Sequence, residues 1–414
     1  MSPVMSNGKP HLKRSMSDTI TMASRYFPCI LLTGARQVGK STLLHSIMPE
    51  GMRYVTLDDF STAAAARRDP VGFLEGLGTP LFIDEIQYAP DLLRAIKLKV
   101  DANRRNGMYW ITGSQRFHLM KGVTESLAGR IGILELYPLS NRESCGLGEH
   151  AAYLDPAHPA ESLAGGPVCG VDELFRRIWR GGYPEMVVHD DVPADIFFRS
   201  YVTSYIERDV ADLTQVADKA AFFMLMKAAA LRTGEQLSYA NIANDTGISP
   251  NTAKRWLSIL ETSGIITMLE PYFTNSTKRL VKSPKMHFMD TGLCAWLAGI
   301  RSPEELRTSQ LAGHIVESWV YGQLLRGYAN AGRTVNMSYF RDKAGHEVDI
   351  LIEENGKIYP LEIKLSSTPM PADLANAAHI PTGRKKLAPG MVLCNVREPV
   401  PLGLGDMALP LSAL

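Results

Sequence analysis

The sequence predicts an α/β protein in which a parallel sheet is followed by helical segments and by a second, C-terminal α/β region. Apolar runs alternate with helical stretches between residues 27 and 137, which is the pattern of a parallel sheet with helices on both faces. A glycine-rich turn ending in lysine and serine follows the first of these runs. Near the C-terminus, two β-like runs joined by Asn-Gly indicate a hairpin that carries charged side chains.

Composition limits the class of protein. A chain of 414 residues, 45% apolar and 21% charged, predicts a folded protein of two or three domains. The net charge of +1 gives no overall attraction to nucleic acid, so such binding would need local patches. The five cysteines are scattered without a C-x-x-C pair, which argues against a zinc site and fits a reducing compartment. Neither a long apolar run nor a signal-peptide core is present, so we expect no membrane contact and a cytoplasmic location.

Residues 34 to 41, GARQVGKS, match the pattern G-x-x-x-x-G-K-[ST] between the apolar run CILLT and the helical run STLLHSI. In that setting backbone N–H groups and the helix N-terminus can hold phosphate oxygens. Lys40 would reach the β- and γ-phosphates of ATP, and Ser41 would bind Mg²⁺. The residues predicted to contact the nucleotide are Gly34, Ala35, Arg36, Gln37, Val38, Gly39, Lys40, Ser41 and Thr42.

A second acidic motif is expected to complete this site. In LFIDEIQ, residues 81 to 87, Asp84 would hold Mg²⁺ through water and Glu85 would act as general base. A helix-capping pair of acids after a strand is the structural alternative. In the run WITGSQ, Ser114 or Gln115 could sense the γ-phosphate, although Thr-Gly-Ser is also an ordinary strand-ending turn.

Arg130 stands just before the fifth apolar run, IGILEL. An arginine there could stabilise charge on the transferring phosphoryl group, within the chain or across a subunit interface. A surface salt bridge is the alternative for this residue.

The segments GARQVGKST, LFIDEIQ, ITGSQ, LAGRI with YPLS, GGYPE and YIERDV together resemble a family of bacterial and archaeal AAA+ ATPases with a C-terminal domain of unknown function. The resemblance covers about residues 20 to 370. It implies a P-loop NTPase fold with ATP binding, ATP hydrolysis and Mg²⁺, and it supplies no substrate. The family typically has threonine in place of Ser41 and proline in place of Ala35; either hydroxyl can bind Mg²⁺.

Residues 238 to 273 have the order of a helix-turn-helix followed by a β wing. Gly247 falls in the turn, and Ser249 caps the second helix over Pro250. In a DNA reader this helix enters the major groove; a packing or partner module is the alternative. Ile242 and Ala243 lie on the first helix, and the second has an apolar stripe of Trp256, Leu257 and Leu260. The side chains expected to face outward are Asn251, Thr252, Lys254 and Arg255. The basic residues downstream that could contact phosphates, unless they form a solvated loop, are Lys278, Arg279, Lys282 and Lys285.

The hairpin GHEVDILIEENGKIYPLEIKL, residues 345 to 365, places Glu362 and Lys364 on one face with Asp349 across from them. The two acids could bind Mg²⁺, and Lys364 could orient or deprotonate a water. Glu317, on the upstream helix, could add a carboxylate. This order of residues resembles the PD-(D/E)xK, or restriction-endonuclease-like, nucleases. That fold also persists as a binding scaffold without cleavage.

We therefore expect four domains: a P-loop (AAA+) ATPase core over 1–145, a helical lid or linker over 146–234, a winged-helix-like domain over 235–300 and a restriction-endonuclease-like domain over 301–414. The predicted function is ATP binding and hydrolysis coupled to DNA, with possible metal-dependent cleavage. The alternative is a nucleotide-operated switch or regulator that cuts nothing. DNA, another protein and further copies of the chain are the candidate partners. A sequence-specific transcription factor is a third reading, disfavoured by the near-neutral charge.

Overall fold

A computed structural model describes residues 12–113, 126–207, 218–274 and 283–414. The predictions for Ser114 and Gln115, and those for Lys278, Arg279 and Lys282, concern residues outside these ranges. Elements are numbered below in chain order.

The N-terminal region contains the predicted parallel sheet. Its five strands lie in the order β2-β3-β4-β1-β5, and every neighbouring pair is parallel. The strands are β1 (Cys29–Thr33), β2 (Arg53–Thr56), β3 (Leu81–Asp84), β4 (Tyr109–Thr112) and β5 (Ile131–Glu135). The helices are α1 (Ser17–Ser24), α2 (Lys40–Ile47), α3 (Phe60–Arg68), α4 (Pro70–Leu77) and α5 (Leu92–Ala102). All five predicted strands are therefore present.

β1 is buried along its whole length because it lies between β4 and β5 and is covered on both faces. Ile30 and Leu32 belong to one hydrophobic core, and Cys29 and Leu31 belong to the other. This alternation follows from the two-residue period of a strand. The carboxyl ends of β1, β3 and β4 consequently meet at one edge, where ligands bind in open parallel sheets.

A helical region follows the sheet. Its described helices are α6 (Asn141–Ser144), α7 (Pro159–Ser162), α8 (Val171–Arg180), α9 (Pro184–Val188), α10 (Ala194–Tyr205) and α11 (Lys219–Ala230). The GGYP sequence separates α8 from α9 because the backbone there passes very close to other groups. A Cβ on Gly181 would lie 2.4 Å from Asp290 Oδ1, and one on Gly182 would lie 2.4 Å from the Leu139 carbonyl oxygen.

The predicted helix pair is present as α12 (Tyr239–Thr246) and α13 (Pro250–Thr262). Gly247 ends α12 with a φ of 69°, and the Ser249 side chain accepts a hydrogen bond from Thr252 N at 3.1 Å. Trp256, Leu257 and Leu260 are buried, as are Ile242 and Ala243. Asn251, Lys254 and Arg255 are exposed, whereas Thr252 is half-buried. The helix pair is followed by β6 (Ile266–Leu269), which pairs antiparallel with β7 (Lys285–Phe288).

The prediction that Lys285 contacts phosphate is wrong. Lys285 is only 3% exposed, and its ammonium group lies 2.8 Å from Glu317 and 2.7 Å from Glu347. The basic run predicted phosphate contact, with a solvated loop as the alternative, but β7 carries Lys285 into the interior, where it pairs with two acids.

The C-terminal region combines a long helix with a mixed sheet. After α14 (Thr291–Leu297) and α15 (Pro303–Thr308), the long helix is α16 (Ala312–Asn330). The sheet order is β13-β14-β12-β10-β9-β8, with β11 beside β10. The predicted hairpin is confirmed, with Asn355 and Gly356 at φ of 50° and 75° in its turn. The strands are β8 (Asn336–Arg341), β9 (Glu347–Glu354), β10 (Lys357–Ile363), β11 (Lys386–Leu387), β12 (Met391–Cys394), β13 (Val400–Gly403) and β14 (Asp406–Pro410).

All five cysteines are free thiols. Among the described residues, no helix combines the length and the apolar character that crossing a bilayer requires.

Candidate functional site

The loop between β1 and α2 has the backbone conformation that the sequence pattern predicts. Gly34 has a φ of 143°, and a Cβ at this position would lie 2.1 Å from the Leu136 carbonyl oxygen. Gly39 has a φ of 89° and precedes the first residue of α2. Both conformations strongly favour glycine. The loop therefore curls in front of the N-terminus of α2, where N–H groups can bind an anion.

Lys40 lies inside this loop. Its side chain is almost fully buried, and its ammonium donates to the Gly34 and Ala35 carbonyl oxygens at 3.0 Å and 2.8 Å. The positive charge of Lys40 is thus held inside the loop that would surround the phosphates. A phosphate group entering the loop would compete with these two carbonyls for the ammonium.

Asp84 is at the end of β3, opposite the start of α2. One of its carboxylate oxygens accepts from Ser41 Oγ at 2.7 Å and from the Thr112 hydroxyl. The other accepts from the Tyr54 hydroxyl at 3.2 Å. Burial and the charge of Asp84 raise the pKa of Tyr54 to about 12, so its hydroxyl remains a donor. Ser41 and Asp84 together offer the hard oxygen ligands that Mg²⁺ prefers.

Thr112 and Tyr54 were not singled out from the sequence. They come from neighbouring strands, and only the strand order brings both to Asp84. The sequence ITG at the end of β4 was the available signal, and the prediction selected the following serine instead. Thr112 also accepts a hydrogen bond from Glu85 N at 3.1 Å, so it orients both acids.

Glu85 follows Asp84 with a left-handed backbone, at a φ of 58°. Such a conformation is uncommon outside glycine and points to a constrained position. The side chain is half-buried, and Gln87 Nε2 donates to one of its oxygens. Glu85 is therefore held beside Asp84 by contacts to β4 and to the short 3₁₀ turn Ile86–Tyr88.

Behind the loop lies a buried ion pair that the sequence did not reveal. Arg14 donates to the Val38 carbonyl in the loop and to the Tyr137 carbonyl, both at 2.8 Å. Its Nε also donates to Glu143 at 3.1 Å. Glu143 is fully buried and accepts further bonds from the backbone N–H groups of Ser15 and Ser140. Arg14 thus clamps the loop to the YPLS segment.

A cavity of about 590 Å³ opens beside the loop. Gly39, Thr42 and Leu43 of the loop and α2 line one side, and Leu12 and Arg14 line another. The volume is in the range of ligand pockets. A nucleotide whose phosphates lie in the loop could place its base and ribose here.

Two other segments lie against the loop. A Cβ on Gly39 would be 3.8 Å from Pro184 Cγ, at the start of α9. A Cβ on Gly264, in the turn after α13, would be 3.7 Å from the backbone nitrogen of Ala35. The helical region and the helix pair therefore both come close to the phosphate loop.

Arg130 does not reach this site in its own chain. It precedes β5, and the register pairs Ile131 with Cys29 at the start of β1. The phosphate loop follows the opposite end of β1, about 13 Å away along the strand. Its guanidinium binds both carboxylate oxygens of Asp101, at 2.5 Å and 3.1 Å. The role within the chain is therefore wrong, and the role across a subunit interface stays a prediction.

The C-terminal acids form a second cluster. Glu362 is buried, and Lys364 donates to it at 3.0 Å. Burial and the charge of Asp349 raise the pKa of Glu362 to about 8. Asp349 accepts from Ile363 N at 2.9 Å, which fixes it across the hairpin. The sequence thus placed these three side chains together correctly.

Glu317 is not gathered with Asp349 and Glu362 into a three-carboxylate site. Burial raises the pKa of Glu317 to about 7, and its carboxylate is paired with Lys285. In the described part of the chain, the group of three whose ligand atoms lie within 4.8 Å of one another is Asp342, His346 and His379. Lys285 provides a positive charge beside Glu317, and the role of Glu317 as a metal ligand stays a prediction.

The parallel sheet, the glycine-bounded loop with its buried lysine, and the Ser41–Asp84 contact define a P-loop ATPase fold. A family model described as an AAA domain matches residues 26–145, in agreement with an AAA-type ATPase domain in this region. Residues 171–304 match a domain of unknown function (DUF8612), and residues 312–414 match another (DUF4143).

Two mycobacterial proteins are similar over most of the chain. Uncharacterized proteins Rv2008c of Mycobacterium tuberculosis and Mb2031c of Mycobacterium bovis are each 30% identical over 360 residues, covering 86% of this chain and 75% of theirs. The chain belongs to the same family as these two proteins. A solved structure, the Walker-type ATPase PABY2304 of Pyrococcus abyssi, is 15% identical, with a TM-score of 0.41 over 70% of this chain and 98% of that one. A score this low adds nothing to the assignment.

Proposed function

We propose that the protein binds ATP with Mg²⁺ in the β1–α2 loop, hydrolyses it, and uses the nucleotide state to control the regions that touch the loop. The observation that carries the proposal is the contact between Ser41 and Asp84, with Glu85 held beside them. The loop N–H groups and Lys40 would bind the phosphates, and Ser41 and Asp84 would hold the metal. Glu85 would polarise the attacking water.

The contacts around the loop support a control function. Arg14 bonds to the loop backbone, and Pro184 and Gly264 lie close to the loop. A bound nucleotide would change the position of Lys40 and of the loop carbonyls that now accept from it. A ligand shifts a conformational equilibrium only through contacts that differ between the two states. The segments carrying Pro184 and Gly264 are placed to make such contacts.

Replacing Lys40 by alanine tests the nucleotide site. We expect ATP binding to weaken by about tenfold to a hundredfold, because a charge-assisted contact to phosphate is lost. Binding would be measured with a fluorescent ATP analogue and Mg²⁺, beside the exposed-lysine control Lys343→Ala. Wild-type binding and hydrolysis in Lys40→Ala would refute the assignment.

A second candidate function is metal-dependent cleavage of DNA by the C-terminal region. It is favoured by the grouping of Asp349, Glu362 and Lys364 at the end of the hairpin. A divalent cation between the two carboxyl groups would relieve their repulsion and could activate a water. The exposed residues of α13, Asn251, Lys254 and Arg255, could contact such a substrate. The nuclease and the nucleotide-operated switch differ only in whether the C-terminal region cleaves DNA.

Cleavage is tested with linear, circular and single-stranded DNA in Mg²⁺ or Mn²⁺, with and without ATP. If the region cuts, we expect cleavage to disappear in Asp349→Asn and to persist in Glu398→Gln, which changes an exposed acid. Asparagine at 349 can still accept from Ile363 N, so the hairpin should remain intact. Absence of cleavage in a preparation that hydrolyses ATP would favour the switch.

Assembly into an oligomer would be the way for Arg130 to reach a nucleotide, in a neighbouring copy. Its pair with Asp101 would then have to open. DNA, another protein and a second copy of the chain are proposed as partners without preference among them.

A further inference from the structure

A second cavity, of about 350 Å³, lies where the three matched regions meet. The end of the ATPase core contributes Leu139 and Asn141, the GGYP segment contributes Gly181 and Gly182, and α16 contributes Arg326. Leu139 is the one lining residue that it shares with the cavity beside the phosphate loop. It is therefore a separate space from the nucleotide site.

Arginines dominate the charge of this cavity. Its lining contains Arg176, Arg177, Arg180 and Arg326. The acids in the lining are Glu173 and Asp190. Glu173 binds Arg176 and Arg177 at 2.7 Å, whereas Asp190 is 80% exposed and stays 3.7 Å or more from Arg176 and Arg180. Four positive groups face two negative ones, so the cavity has a positive surplus.

Arg326 is the unusual member. It is 3% exposed, and its Nη2 donates to the Met289 carbonyl. Within the described parts of the chain, its Nε–H has no hydrogen-bond partner. Leaving a buried donor without a partner is destabilising, and more so when the group is charged. Asp290 and Glu143 offset some of the cost through longer-range attraction. The guanidinium of Arg326 is also one of the positive groups in the lining of the cavity, and an anion there would offset the burial of its charge.

We propose that this cavity binds a small phosphate-bearing metabolite or another compact polyanion, distinct from the ATP in the phosphate loop. Guanidinium groups bind phosphate oxygens in a planar, bidentate geometry, which a cluster of arginines provides better than lysines would. The cavity volume fits a molecule of about mononucleotide size or smaller.

The position of the cavity gives such a ligand a regulatory role. Asn141 N donates to Gln323 Oε1 at 2.8 Å, and Asn141 Nδ2 donates to the Ser412 carbonyl at 2.8 Å. These bonds join the end of the ATPase core to the C-terminal region beside the cavity. An anion contacting arginines of α8 and α16 would tie the helical region to the C-terminal region beside these bonds, so its binding would stabilise the contact between those two regions.

The test is a calorimetric titration of inorganic phosphate into protein saturated with Mg²⁺ and a non-hydrolysable ATP analogue, so that the phosphate loop is filled. We expect binding by the wild-type protein and an affinity about tenfold weaker in Arg176→Gln and in Arg326→Gln. The matched control is Arg199→Gln, which changes an exposed arginine on α10 and should bind phosphate as the wild type does.

Arg176 is half-exposed, so Arg176→Gln is expected to fold even if Arg326→Gln does not. Circular dichroism melts would confirm that each variant is folded. No phosphate binding by the wild type up to tens of millimolar, or unchanged affinity in Arg176→Gln, would overturn the proposal. Repeating the titration in Lys40→Ala without nucleotide separates this site from the ATP site, because phosphate binding should persist there.

Discussion

Replacing Glu85 by glutamine is expected to slow ATP hydrolysis by roughly 10²- to 10⁴-fold while ATP binding stays close to that of the wild type. Glutamine has nearly the same shape, and the backbone bond from residue 85 to Thr112 does not depend on the side chain. The carboxylate that polarises the water would be lost, whereas the loop and Lys40 would be untouched. Phosphate release and binding of a fluorescent ATP analogue would be measured on the same preparation.

The control is Glu50→Gln, which removes an exposed carboxylate just beyond α2. It should change neither measurement. If Glu85→Gln hydrolyses ATP at the wild-type rate, Glu85 is not the general base, and the acid pair is a structural cap. If Glu85→Gln also loses ATP binding, the Glu85 side chain is needed for the structure of the nucleotide site and not only for hydrolysis.

Breaking the Arg14–Glu143 pair is expected to lower the free energy of unfolding by about 3–5 kcal/mol, because one buried charge would remain without its partner. Glu143 accepts three hydrogen bonds, from Arg14, Ser15 and Ser140, and has no exposure to water. Arg14→Met would leave that carboxylate buried, and Glu143→Gln would leave the guanidinium buried. Denaturant unfolding of each single variant and of the double variant measures the effect.

The double variant should cost less than the sum of the single variants, because it leaves neither charge unpaired. Lys13→Met is the matched control: Lys13 precedes Arg14, but its pair with Glu149 is exposed, and such pairs contribute little. Arg14→Met should also weaken ATP binding, because Arg14 holds the Val38 carbonyl of the loop. Additive losses, or Arg14→Met as stable as Lys13→Met, would contradict this account.

The ATPase site was predictable where its residues are contiguous. GARQVGKS and LFIDE each carry several candidate site residues within a few positions; the first follows β1, and the second begins as β3 and ends just after it. Their meeting at Asp84 follows from parallel strands that end at one edge of the sheet. Thr112 and Tyr54 were missed because their contact with Asp84 requires β4 and β2 to lie on either side of β3. The order of strands in a sheet cannot be predicted from the sequence of each strand alone.

Arg14 and Lys285 show a different limit. Arg14 lies in a polar N-terminal segment, and its partner Glu143 is separated from it by more than a hundred residues. Lys285 stands in a basic run, but it is buried against Glu317 and Glu347. The sequence shows which residues are charged. Whether a charged residue is buried depends on ion-pair partners that are far away in the sequence. In the C-terminal hairpin the partners are close in sequence, so Asp349, Glu362 and Lys364 could be placed correctly.

The GGYP segment has a further consequence for how the chain unfolds. Leu139 N donates to the Gly182 carbonyl at 2.7 Å, and Gly182 N donates to Asp290 at 2.7 Å, so a short chain of bonds joins the first two of the three matched regions. A single apolar cluster runs through them, from Ile30 of the sheet to Val316 of α16. The boundaries between the matched domains therefore do not mark independent folding units. We expect truncation at either boundary to expose this cluster and yield aggregating fragments, and the intact chain to melt with these three regions in one cooperative transition.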